Sequence, residues 1–458
     1  MGPGVLVRTS LLMCFVATAA SAGPTVVGDI VVVEDTTGEP FDLTKHPGAI
    51  DLSVCAFGTN GLYQLKPDVY DAAVVFTTNP MTGLLSIFAT PAGNPVRQTD
   101  QGVAYGSFFF RQQASAYGSA AQLKHCIFAG PLTQWPSSPD SPFSSGGYPT
   151  GETGVAVLGH EFGHHWMVWA AYDKGNGLGP QALFRGNTRQ DTDPSHAISS
   201  SNLHWSAYAD TGSVMYGNFI TDNQDGTYTL RGGDHKYGFF DQYLMGLRAA
   251  QDVPPMLVID DGTGLGSADF PVPPGQSQTI TGLGTTVTVD DLIRAIGPRV
   301  PAYPNAQSCF RFAFVLVTQA GHTPTAGELA QVEAYRTRWE TWYAWATDGR
   351  GSVDTRLDAV NACPPPTTTP DAGITVDAGQ PEPDAGSTEP NDGGGELQGA
   401  PDAGNDAGTG MQQMHEPPEP LPIKKLKPGC GCDSAPLGSL AFAALLWVAV
   451  FRGLRRWL

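Results

Sequence analysis

The stretch VAVLGHEFGHHWMVWAA, residues 155–171, constrains this chain more than any other. It is apolar enough to be a core helix, yet positions 160–165 hold three histidines and a glutamate. Its composition predicts a helix over 152–172. On a helix, His160 and His164 share one face, one turn apart. Burying imidazoles and a carboxylate without partners is costly, so the fold must bring something polar against that face. Neutral imidazole is a good ligand for a divalent ion, and rings four residues apart can reach one ion. Glu161 lies beside His160, off the ligand line but near the ion's open side. From there it can take a proton from an activated water and pass it to a leaving group. His165 is rotated about 100° from His164, away from that face.

The rest of the 458 residues indicate where such a centre would work. A formal net charge of −19 argues against a nucleic-acid partner, which needs a basic footprint. Residues 1–22 carry an early Arg8, an apolar run from Leu11 to Ala20 and small residues at Ala20 and Ala22. That is the layout of a secretory signal peptide, cut after Ala22. In an exported protein, Cys55, Cys126, Cys309 and Cys363 suggest two disulfides. Cys55 with Cys126 and Cys309 with Cys363 would brace the two ends of the body, although sequence alone does not fix the pairing. Cys430 and Cys432 stand apart near the C-terminus.

Residues 23–145 read as strands and turns, in runs such as VVGDIVVVED and YDAAVVFTT. Residues 173–363 follow the histidine helix. They hold a hairpin around DNQDGTYTL, an apolar helix YGFFDQYLMGL, a helix opening at Asp290, the strand FRFAFVLVT and a last helix near 326–347. DNQDGTYTL lacks the acids that a helix–loop–helix calcium site needs, so a turn through Asp225-Gly226 is expected there. Residues 364–428, with repeated DAG units among Pro, Thr and acids, cannot bury a core and are expected to be a disordered spacer. Residues 429–458 combine GCGC, an apolar run from Leu437 to Phe451, and Arg452, Arg455 and Arg456.

HEFGH is the HExxH pattern, and on it the chain resembles the zincin metallopeptidases. The resemblance implies an α+β, zincin-like fold: a mixed β-sheet packed on the HExxH helix, followed by a mostly helical C-terminal part, together spanning 23–363. It also implies Zn²⁺ held by His160 and His164, Glu161 as general base and acid, and a protein or peptide substrate. The tail resembles the myxobacterial type of C-terminal sorting signal (MYXO-CTERM). That implies transient membrane anchoring by 429–458, a processing protease acting near Cys430 or Cys432, and display at the cell surface or release.

A catalytic zinc needs a third protein ligand. The metzincin extension would require Gly and His or Asp where Met167 and Ala170 stand, although SVMYG (213–217) resembles a metzincin Met-turn. No glutamate lies between Glu161 and Glu328. Asp241, the acid in YGFFDQYLMGL, is the expected ligand, with Met245 one turn on beneath the ion. His204 in LHWSAYAD is the alternative, as a ligand or as a catalytic donor to the oxyanion. Asp210 and His235 are lesser candidates. A surface-displayed binding protein with a structural or vestigial zinc is the competing function. A hydrolase of non-peptide amides is a third.

Overall fold

The computed structural model describes residues 23–83, 85, 91–96, 113–143, 148, 151–166, 170–185, 203–263, 270–358 and 363. All lie in one compact unit, Met1–Ile374. The expected signal segment 1–22, spacer 364–428 and sorting tail 429–458 lie outside the described residues. No helix among the described residues is long and apolar enough to cross a membrane.

In chain order the first half holds β1 (Thr25–Val27), β2 (Ile30–Asp35), α1 (Ile50–Leu65), β3 (Ala72–Thr77), β4 (Ala92–Pro95), β5 (His125–Pro131) and α2 (Gly154–Gly163). The short strands β6 (Ala171–Tyr172) and β7 (Gln181–Ala182) follow. After them come β8 (Trp205–Asp210), β9 (Tyr216–Asp222), β10 (Thr227–Arg231) and α3 (Phe239–Leu244). The last elements are β11 (Met256–Thr263), β12 (Ser277–Val287), α4 (Val289–Ile296), β13 (Cys309–Gln319), α5 (Ala326–Ala346) and β14 (Ser352–Asp354).

The main sheet runs β1-β2-β13-β3-β5-β4, with β14 also on β13. Its centre is parallel, from β2 through β13 and β3 to β5, and β4 is an antiparallel edge. A parallel sheet needs both faces covered, which explains runs such as AAVVFT and FRFAFVLVT. Side chains alternate along each strand. Val31, Val33, Val75, Val315 and Val317 join one core with α1, while Val32, Val74, Phe76, Phe314 and Leu316 join the other with α2 and α5. Trp339 and Phe162 are almost fully buried in that second core, and burying a side chain of this size contributes about 1.5–3 kcal/mol. A Cβ on Gly159 would fall 1.9 Å from the Trp342 ring, so only glycine lets α2 lie this close to α5.

Two expectations need correction. The part after the histidine helix is not mostly helical. β8 to β12 form a closed barrel, in the order β10-β12-β11-β8-β9, around Tyr208, Ile220, Tyr228, Leu230, Ile259, Val272 and Ile280. β13, contributed from near its end, lies inside the main sheet between β2 and β3. The β-rich 23–145 region also contains a sixteen-residue helix, α1.

Disulfides join Cys55 on α1 to Cys126 on β5, and Cys309 at the start of β13 to Cys363. A bridge of this kind contributes about 2–4 kcal/mol, chiefly by restricting the unfolded chain.

Candidate metal centre

α2 begins at Thr153, whose hydroxyl accepts from the Ala156 amide at 3.3 Å, and ends after Gly163. It is half the expected length, because the chain turns through residues 164–166 and re-enters as β6 at Ala171. The ligand spacing survives this. His164 caps the helix with φ −61° and ψ −11°, still in the right-handed helical region, so it stays one turn beyond His160. The two ring centroids are 5.1 Å apart.

The third member of the cluster is His204, which directly precedes β8. Its ring lies 4.8 Å from that of His160 and 5.0 Å from that of His164, and the Nε2 atoms of His160 and His204 are 3.0 Å apart. One nitrogen from each ring falls within 4.8 Å of the others. His160 Nδ1 lies 2.8 Å from the Val214 carbonyl, which can only accept. Nδ1 therefore carries a proton, which leaves Nε2 as the nitrogen that faces the other two rings. Nδ1 of His164 and Nδ1 of His204 are buried without a hydrogen-bond partner. Burial, and then the neighbouring histidines, hold both imidazoles well below their ordinary pKa. Three imidazoles each bringing one nitrogen within 4.8 Å of the others are a donor set that suits a zinc ion.

The turn at 213–217 supports this cluster from several sides. Val214 fixes the His160 ring, as described. Met215 packs under α2: a Cβ on Gly163 would sit 2.1 Å from its sulfur. Tyr216 stacks on His204 with centroids 4.3 Å apart and lies 4.7 Å from His160. Tyr216 adopts φ 72°, a strained value for a residue with a Cβ, costing about 1–3 kcal/mol.

Glu161 is buried beside His160. Its Oε2 accepts from the Gly93 amide of β4, and its Oε1 accepts from the Tyr148 hydroxyl. Burial raises its pKa, opposed by His160, Tyr148 and Gly93. Its own carbonyl accepts from His125 Nε2 at 3.0 Å. His165 points into that second region, edge-on to His125 at 5.6 Å, and burial pushes its pKa down to about 3.

Asp241 is placed elsewhere. It is the third residue of α3, where Oδ2 accepts from the Gly238 amide and Oδ1 from Trp205 Nε1, each at 2.7 Å. The Ser213 hydroxyl also reaches it, and burial raises its pKa to about 6. Its oxygens accept from these protein donors, and the residue that converges with His160 and His164 is His204. Asp241 acts one step back, by tying Trp205, next to His204, and Ser213, which opens the supporting turn. Met215 packs against α2, and Met245 caps α3. Asp210 accepts from the Ile220 amide at 2.9 Å within the barrel, and His235 lies 3.7 Å from Glu152. The sequence reading missed Tyr148 and Gly93 as partners of Glu161. Both lie outside the motif, and no spacing links them to it.

Comparison with protein-family models, curated proteins and solved structures returns no match to this chain.

Proposed function

We propose that this chain is an exported, zinc-dependent endopeptidase in which His160, His164 and His204 hold the ion and Glu161 moves the proton. The observation that carries this reading is the convergence of three imidazoles beside a buried carboxylate. Zinc bound to three imidazoles is a Lewis acid that makes water nucleophilic near neutral pH. Glu161, its pKa raised by burial, is suited to take a proton from the attacking water and deliver it to the leaving amine. β4 is the edge of the main sheet, and its Gly93 touches Glu161. An extended peptide pairing with β4 would therefore run past the carboxylate. The two disulfides suit an oxidising compartment, in keeping with the export and surface display expected from residues 1–22 and 429–458.

One observation favours a second reading, a displayed binding protein with a structural zinc: both oxygens of Glu161 already have donors. Glu161→Gln separates the two. A peptidase loses about 10²–10⁴-fold in casein cleavage while keeping its zinc. Cleavage by this variant at the wild-type rate sinks the peptidase reading, as does a wild-type protein that binds zinc and cleaves nothing.

A further inference from the structure

Asp210 ends β8 at the opposite end from His204, and there it lines a cavity of about 330 Å³ between the barrel and α3. The apolar walls include Phe219, Phe239, Phe240, Pro255 and Met256. Phe240 is 3% exposed and belongs to the core, whereas its neighbour Phe239 is 45% exposed and offers its ring to the opening. Small-molecule sites span about 300–1,000 Å³, so this one has room for a single ring and a short arm.

The charged lining is Asp210, Asp234, Asp348 and Lys236. Lys236 Nζ lies 3.1 Å from Asp348, and Arg248 reaches the same carboxylate at 3.5 Å, so Asp348 is matched. Among the described residues no lysine or arginine makes an ion pair with Asp210 or Asp234; Arg231 lies over the Phe219 ring at 5.8 Å. Asp210 Oδ1 accepts from the Ile220 amide at 2.9 Å. Burial nevertheless raises the Asp210 pKa, against that amide, the Leu257 amide and the Arg231 charge.

A carboxylate in a partly buried wall is stabilised by a cation brought close to it. The one ammonium in the wall already has its acid, so the cavity offers acceptors and needs a donor. An ammonium on a ring meets both demands: it donates to Asp210 and Asp234, while the ring packs on the phenylalanines, whose faces also attract a cation. We propose that this cavity is a second binding site, apart from the histidine cluster, and takes an ammonium joined to an aromatic ring by a short arm. A free arylalkylamine and the N-terminal aromatic residue of a peptide share that chemistry. The site does not depend on the peptidase reading.

Ligand-observed NMR titrations of the zinc-loaded full chain test this with phenethylamine, 2-phenylethanol, 3-phenylpropionate and phenylalanyl-glycinamide. Saturable binding of the amine is expected, about tenfold tighter than the alcohol, with the carboxylate weaker still. Phe239→Ala should weaken amine and alcohol alike by about threefold or more, and Asp234→Asn should narrow the lead of the amine over the alcohol by about threefold. Both positions are exposed, so both variants are expected to melt as wild type does. No binding of the amine, binding of the carboxylate at least as tight, or an amine affinity unchanged in both variants overturns the proposal; the last would put the amine on the zinc or elsewhere. Tighter binding of phenylalanyl-glycinamide than of phenethylamine names a peptide N-terminus as the source, and weaker binding names the free amine.

Discussion

The sulfur of Met215 occupies the space a Cβ on Gly163 would need, 2.1 Å from its ideal position. Met215 follows Val214, whose carbonyl orients His160, so a methyl group on α2 pushes on the neighbour of the residue that aims His160. Gly163→Ala is expected to cost about 1–3 kcal/mol of stability and roughly tenfold in zinc affinity. Adding Met215→Ala should recover part of both losses. A thermal melt and a chelator competition across the double-mutant cycle read this coupling. Purely additive effects would show that the two residues do not meet.

Ligands and neighbours should separate by metal content. Elemental analysis of the purified protein is expected to find about one zinc per chain in wild type and far less in His160→Ala, His164→Ala and His204→Ala. Asp241→Ala should keep its zinc and lose about 1–3 kcal/mol, because Trp205 Nε1 and the Gly238 amide are left unpaired. Metal loss in Asp241→Ala together with retention in His204→Ala would reverse the assignment.

Stability should fall as a zinc-free sample is acidified. Burial lowers the pKa of His125, His164, His165 and His204 from 6.5, so below that value the unfolded chain binds more protons than the folded one. Their contribution is present above about pH 6.5 and is lost as pH falls, at up to about 1.4 kcal/mol per pH unit per histidine. Asp241 works in the opposite sense. Its pKa rises from 3.8 to about 6, so its contribution is present below 3.8 and lost as pH rises through 6. Asp51, Glu161 and Asp210 shift in the same direction as Asp241. The histidines, three of them held well below their ordinary value, outweigh these carboxyls, so the urea midpoint should drop between about pH 7 and about pH 5. A midpoint that is flat or rises on acidification would contradict the buried, neutral state of His125, His164, His165 and His204.

Tyr148 donates to Glu161 and so holds the carboxyl pKa down against burial. Tyr148→Phe removes that donor, and the acid limb of the kcat/KM profile should move to higher pH. An acid limb that stays in place or moves to lower pH would show that Tyr148 does not face Glu161 in solution.

What was legible in the sequence followed local rules. The four-residue spacing of His160 and His164, the hairpin of β9 and β10, and the strand at β13 are all set by neighbours in the chain. Asp241 was expected to need a cation because it is an acid in an apolar run. Its partners are an indole nitrogen from β8 and the amide that opens its own helix, and the indole is supplied only by tertiary contact. α1 was hidden by its own composition. Gly61 lies within α1 because a Cβ there would come 2.5 Å from Val33, so close packing on the sheet outweighs helix propensity. The barrel was hidden because β12 alternates mostly exposed threonine, glycine and glutamine with few buried apolar residues.

The central claim is that one divalent ion sits on the imidazoles of His160, His164 and His204. X-ray absorption at the zinc edge, on protein purified with its native metal, tests it most directly. The expected spectrum has three imidazole nitrogens and one further light atom at about 2.0–2.1 Å, and loses one imidazole in His204→Ala. A spectrum with sulfur ligands, or with two imidazoles and a protein carboxylate that is unchanged in His204→Ala, would contradict it.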